Sequence, residues 1–124
     1  MIEKKKFDIY DRIFKFSART VKFLEKLPKS ISAREYSRQL IRSSGSMGSN
    51  LEAADGALTK KDFINKVGIS RREARESRHW LKLLKAVVPI QNISDKKELD
   101  WLINECHEIL LILSSIIKKT QKGS

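Results

Sequence analysis

Residues 59–88 read TKKDFINKVGISRREARESRHWLKLLKAVV, and this stretch decides the fold. Phe63, Val67, Ser70, Ala74, Ser77, Leu81, Leu84 and Val88 recur at alternating spacings of four and three, the period of an α-helix with one heptad-like seam. The small residues in that seam allow another helix to come close. Thr59 opens the helix with Asp62 three positions on, the spacing of a capping box, and Pro89 ends it, because the residue before a proline is pushed out of the helical region. Beside the seam Arg71, Arg75, Arg78, Lys82 and Lys85 follow one another at +4, +3, +4 and +3. Wound at 3.6 residues per turn, the five project within an arc of roughly 80°. Like charges so arranged repel, and an anionic partner or the acids of another helix would relieve them.

Outward from this helix the apolar residues keep helical spacing almost everywhere, and only two prolines and five glycines interrupt them. The pattern predicts four helices and no strands, at about residues 7–27, 33–56, 60–88 and 95–120. The first stops at Pro28, and the second opens at Ser32, whose spacing to Glu35 matches a capping box. The fourth carries Asp95, Glu98 and Asp100 early and Lys118 and Lys119 late, as the helix macrodipole prefers. Short connections favour antiparallel neighbours, so residues 1–124 are expected to form a single all-α domain, an up-down-up-down four-helix bundle. The weak point is the run from Ser43 to Asn50, whose two glycines and four serines read locally as a loop. Tyr36, Leu40, Met47, Leu51 and Ala54 keep the period on both sides, so a continuous helix is expected, with the glycines admitting a neighbouring backbone. A phosphate-cradling loop would need G-x-x-x-x-G-K-[ST], which is missing.

Two helices carry more apolar surface than a bundle core needs. Phe7, Ile9, Tyr10, Ile13, Phe14, Phe16, Val21, Phe23, Leu24 and Leu27 sweep roughly 220° of the first helix. The apolar residues from Leu99 to Ile117 sweep about 200° of the fourth, with Leu111 on its far side. Such faces imply a homo-oligomer. The expected interface residues are Phe16, Phe23, Trp101 and Leu111, joined by Trp80, Glu73 and Glu76 on one side of the third helix. The two carboxylates would meet arginines of a neighbour.

Charge narrows the function. The chain has 26 Lys+Arg against 15 Asp+Glu, a net +11 at pH 7, which suits a polyanionic partner better than a small-molecule enzyme. It is concentrated: residues 59–89 hold nine basic and three acidic side chains, whereas residues 90–124 hold five of each. The single cysteine, Cys106, forms no internal disulfide, and the opening Met-Ile-Glu-Lys-Lys-Lys lacks a secretory apolar run, so a cytoplasmic location is expected. No apolar run approaches the roughly 20 residues that cross a bilayer, and no membrane role is expected.

Catalytic and metal-binding readings find little support. Glu76 and His79 have the Glu-x-x-His spacing of a di-iron helix, but the other histidine, His107, has Asn104 where the second glutamate would stand. Cys106 and His107 are adjacent and splay about 100° apart on a helix, which prevents direct activation of the thiol. No enzyme, metal or cofactor is expected. Trp80 lies opposite the basic stripe, so the two do not form one base-stacking surface.

Two stretches resemble a known family. Ser37-Arg38-Gln39-Leu40-Ile41-Arg42-Ser43-Ser44, leading through Ser46-Met47-Gly48-Ser49-Asn50-Leu51-Glu52-Ala53, is one; Lys60-Lys61-Asp62-Phe63-Ile64 with Glu73-Ala74-Arg75-Glu76-Ser77-Arg78-His79-Trp80-Leu81 is the other. Both are similar to the four-helix-bundle proteins encoded by intervening sequences in bacterial 23S ribosomal RNA genes. The resemblance implies a ring of bundles, a pentamer, and kinship with the accessory variability protein of diversity-generating retroelements, a basic barrel that binds nucleic acid and a reverse transcriptase. It implies no settled activity. The leading expectation is a non-enzymatic oligomeric module that binds RNA or DNA phosphates, largely without sequence specificity, through Lys60, Arg71, Arg75, Arg78, Lys82 and Lys85. The alternative is a homo-oligomeric protein-interaction scaffold whose arginines meet acids of a protein partner.

Overall fold

Four helices form because each has a periodic apolar face and polar caps that satisfy its first backbone N–H groups. The structure is a computed structural model that describes residues 2–123, with side chains from Ile9 onward. Its elements are α1 (Ile2–Leu24), α2 (Ile31–Asp55), α3 (Lys60–Val87) and α4 (Ile93–Lys122), with no strand among the described residues. Phe7, included above in the apolar face of the first helix, lies outside the described side chains.

The caps correct two of the expected starts. Thr59 caps α3 as expected, its hydroxyl accepting from the Asp62 N–H. At α2 the cap is Ser30, which accepts from Ala33 N–H, so the helix begins ahead of Ser32. At α4 it is Asn92, whose side chain accepts from the N–H groups of both Ser94 and Asp95. Either carbonyl-bearing or hydroxyl side chain does the same work there. The first helix ends at Leu24 rather than Leu27, because the next turn tightens into three-residue hydrogen bonds from Lys26 to Phe23 and from Leu27 to Leu24.

Each helix touches two others: α1 meets α2 and α4, and α3 meets α2 and α4, with no close approach across the diagonals among the described residues. The side-chain pairs run in opposite chain order. Tyr10 donates to the Leu51 carbonyl and Ser17 to that of Ser44. Ser43 pairs with Ser77, and Ser70 with the Met47 carbonyl. Arg78 meets His107, and Lys85 meets Asp100. The core between the helices holds Ile13, Phe16, Phe23, Leu40, Met47, Leu81, Leu84, Leu102, Ile109 and Leu113. The seam read from residues 59–88 supplies α3's share: Val67, Ser70, Ala74, Ser77, Leu81, Leu84 and Val88 are buried, and Phe63 at its start is only partly so.

The helix α2 is continuous through its glycine- and serine-rich centre, and the serines explain how. Ser43 and Ser44 are buried; the Ser43 hydroxyl meets that of Ser77 at 2.8 Å, and Ser70 donates to Met47 O at 2.7 Å. These hydroxyls bridge α2 and α3 instead of unwinding either. The glycines do something different from what was expected. A Cβ at Gly48 would sit 3.4 Å from Ile13 Cγ2, in ordinary contact, and one at Gly45 would meet nothing within 4 Å. No backbone therefore crowds Gly45. Gly45→Ala is expected to raise stability by about 0.5–1 kcal/mol through helix propensity alone. A thermal melt showing no gain, or a loss, would mean that this face is covered.

A ladder of ions ties α1 and the turn after it to α4. Arg12 clasps Glu105 at 2.7 and 3.0 Å, Arg19 clasps Glu98 at 2.6 and 2.8 Å, and Lys26 lies 3.8 Å from Asp95. Both arginines use the two-pronged geometry that suits carboxylates. Their guanidinium groups are held above the usual range by those hydrogen bonds.

Candidate nucleic-acid interface

The basic stripe of α3 runs along the side that faces α4. Arg75 and Lys82 are exposed and Arg71 is half-buried, and none of the three has a hydrogen-bond or ion-pair partner among the described residues. Lys60, the first residue of the helix, is also exposed and unpaired. The other two members are engaged. Lys85 donates to Asp100 across the surface at 2.7 Å, with both side chains more than half exposed. Such a pair is worth little and exchanges readily with another anion. Arg78 Nη1 lies 2.7 Å from His107 Nδ1. A guanidinium only donates, so Nδ1 must accept, and the ring proton of a neutral His107 sits on Nε2. The stripe keeps three cations wholly free and two held by groups of α4.

Where α3 and α4 diverge at the surface, Arg78, Lys82, Lys85, Asp100, Ile103, Asn104 and His107 line an open cleft of about 290 Å³. His107, Asn104 and Asp100 were not among the expected site residues. The pairings that bring them there span 15 and 29 positions and leave no local trace in the sequence.

The expected interface residues fare differently. Phe16 and Phe23 are 0% and 1% exposed within this chain's own core, so they offer a neighbour no surface. The α1 side chain that does face solvent is Phe14, at 75% exposure. It borders a groove of about 680 Å³ between α1 and α2, floored in part by Ile13, Ser17, Gly45 and Gly48. Glu73 and Glu76 meet an arginine of the same chain. Arg42 on α2 reaches Glu76 at 2.8 Å and Glu73 at 3.4 Å, and Glu73 is buried. Both carboxylates therefore already share a partner within the chain. This pairing also occupies the carboxylate of the Glu-x-x-His spacing, while His79 packs edge-on against Trp80 with ring centres 5.1 Å apart.

Trp80 is half-buried beside Tyr36, 5.7 Å between ring centres, and its indole N–H is buried without an acceptor. Trp101 is partly exposed, but the Arg19 guanidinium lies 3.7 Å above its ring, in cation–π geometry. Leu111 is half exposed. Cys106 is buried and donates to the Ala74 carbonyl, and burial pushes its thiol up to about 12 against the opposing pull of Arg78. A thiol so placed is a core side chain, not a thiolate nucleophile. Among the described residues no three His, Cys, Asp or Glu side chains converge as metal ligands. No described helix is long and apolar enough to cross a membrane.

The fold and sequence together have counterparts. A crystal structure of a protein of unknown function from the S23 ribosomal protein family of Bacteroides thetaiotaomicron VPI-5482 is 31% identical. It matches with a TM-score of 0.78 over 92% of this chain and 98% of that one. A search of curated proteins returns no match. The family model described as 23S rRNA-intervening sequence protein matches residues 5–115, nearly the whole chain. The two stretches that carried the resemblance both fall inside that match, and the chain belongs to the 23S rRNA-intervening sequence protein family.

Proposed function

We propose that this chain is a non-enzymatic, oligomeric module that binds the phosphate backbone of RNA or DNA through the α3 face, largely without sequence specificity. The observation that carries the reading is that, among the described residues, no carboxylate pairs with Arg71, Arg75 or Lys82. Self-repelling cations, three of the five on the stripe being unpaired among the described residues, favour an external polyanion, and each phosphate neutralised releases counterions. The scaffold alternative needs acids from a partner at the same positions, and the acids that α3 itself carries on another side, Glu73 and Glu76, are already taken by Arg42.

Two finer features belong to the same reading. The opposed order of the interhelical pairs supports an antiparallel up-down-up-down bundle. A ring-like homo-oligomer, pentameric as the resemblance suggests, is supported by exposed apolar side chains on two helices, Phe14 at the α1–α2 groove and Leu111 on α4. Contacts between unlike faces generate rings when the rotation closes.

Light scattering tests both parts at once. The chain alone is expected at a multiple of its 14.3 kDa mass, and heavier again once a single-stranded oligoribonucleotide is added. A mass that RNA leaves unchanged overturns the binding reading, and a monomer overturns the ring.

A further inference from the structure

The cleft between α3 and α4 differs from the rest of the stripe in offering uncharged donors beside the cations. Asn104 is exposed and its amide has no partner among the described residues. The tautomer imposed by Arg78 leaves the Nε2–H of His107 as a further donor without an acceptor. Lys82 is unpaired, and the one acid at the rim, Asp100, is already neutralised by Lys85. Arg78 and Lys82 are the cations left for a ligand, beside two neutral donors, in an open cleft whose acid, Asp100, is paired with Lys85. That set matches an oxyanion with several oxygens and suits neither a cation nor an apolar group.

We infer that this cleft seats one internal phosphodiester of a bound polynucleotide strand, with Lys82 and Asn104 contacting its oxygens and His107 holding the Arg78 guanidinium in place. The inference rests on the nucleic-acid reading above and sharpens it: the stripe attracts the strand, and the cleft fixes one phosphate. His107 acts as a positioning residue. Its Nδ1 fixes one edge of Arg78, which leaves the remaining guanidinium N–H groups for the phosphate.

The test uses the full chain and a fluorescein-labelled oligouridylate without terminal phosphates, titrated by anisotropy between about 50 and 200 mM salt. Asn104→Leu leaves the net charge unchanged, so a diffuse attraction does not register it. The cleft predicts a loss of about tenfold, the size of one hydrogen bond to a charged group, with the salt slope unchanged. Lys82→Gln is expected to weaken binding and flatten the slope by about 0.7, one single-strand phosphate contact. His107→Leu is expected to weaken binding, and His107→Gln, which keeps an acceptor for Arg78, to restore most of it. Side-chain amide NMR provides a check that does not depend on the substitutions: the Asn104 NH2 signals should shift when the strand is added. Wild-type binding that Asn104→Leu leaves unaltered, with static Asn104 signals, overturns the cleft and spares the nucleic-acid reading. No wild-type binding at any salt overturns both.

Discussion

Replacing Arg71, Arg75 and Lys82 together by glutamate is expected to abolish binding of single-stranded RNA while leaving the helical content of the chain intact. The change turns three positive charges negative along one face, so phosphate contacts are replaced by repulsion. A loss of at least about a hundredfold at low salt follows if each lost contact is worth roughly a factor of five to ten. The fold should survive because none of the three side chains has a partner within the described residues to lose. Circular dichroism separates the outcomes. Unchanged helicity with lost binding supports the account, whereas a collapse of helicity means that these cations hold the bundle together. Arg78 is left out of the set on purpose, since its bond to His107 joins two helices.

A second pair of substitutions separates core from surface on α1. Phe16→Ala removes a ring that is fully buried in the chain's own core, and a cost of about 3–5 kcal/mol is expected. Against a total stability of about 5–15 kcal/mol for a domain of this kind, that is a large share. Urea unfolding should show a midpoint lowered equally at every protein concentration. Phe14→Asp, two positions away, should leave the urea midpoint of the folded unit nearly unchanged and reduce the light-scattering mass toward 14.3 kDa. A Phe16 variant as stable as the parent contradicts the core described above. A Phe14 variant that keeps its full mass removes the α1–α2 groove from any subunit contact.

The misplacement of Phe16 and Phe23 shows what a helical wheel leaves out. A helix that packs on a single neighbour buries a narrow stripe, so a sweep of roughly 220° suggests two faces, one of them for a partner. In this bundle α1 sits at a corner and meets both α2 and α4, and the two contacts bury a wide arc within one chain. The sequence shows the width of the arc and not the number of neighbours that cover it. The α3 seam was legible residue by residue because one unbroken period of three and four runs through it. The serines of α2 were legible as a disturbance only. Their hydroxyls find Ser77 and the Met47 carbonyl through a pairing of two helices that local propensity does not encode.

At the candidate site the division is similar. The stripe follows from spacing alone and stands where the spacing put it. What each member of it meets does not follow, because Arg78–His107, Lys85–Asp100 and Arg42–Glu76 are contacts between different helices. The same blindness assigned Glu73 and Glu76 to a neighbouring subunit. A free carboxylate pair beside Trp80 looked like half of an interface, when its other half was Arg42 on α2.

The most direct measurement of the central claim is the salt dependence of RNA binding by the unmodified chain. Three free cations, with Arg78 adding its remaining N–H groups and Lys85 joining as Asp100 yields, predict a log–log slope of about −2 to −3.5 for a single strand. An affinity that stays flat from about 50 to 200 mM salt, or a chain that binds no RNA at all, would contradict the claim that the α3 face is a surface for polyanions.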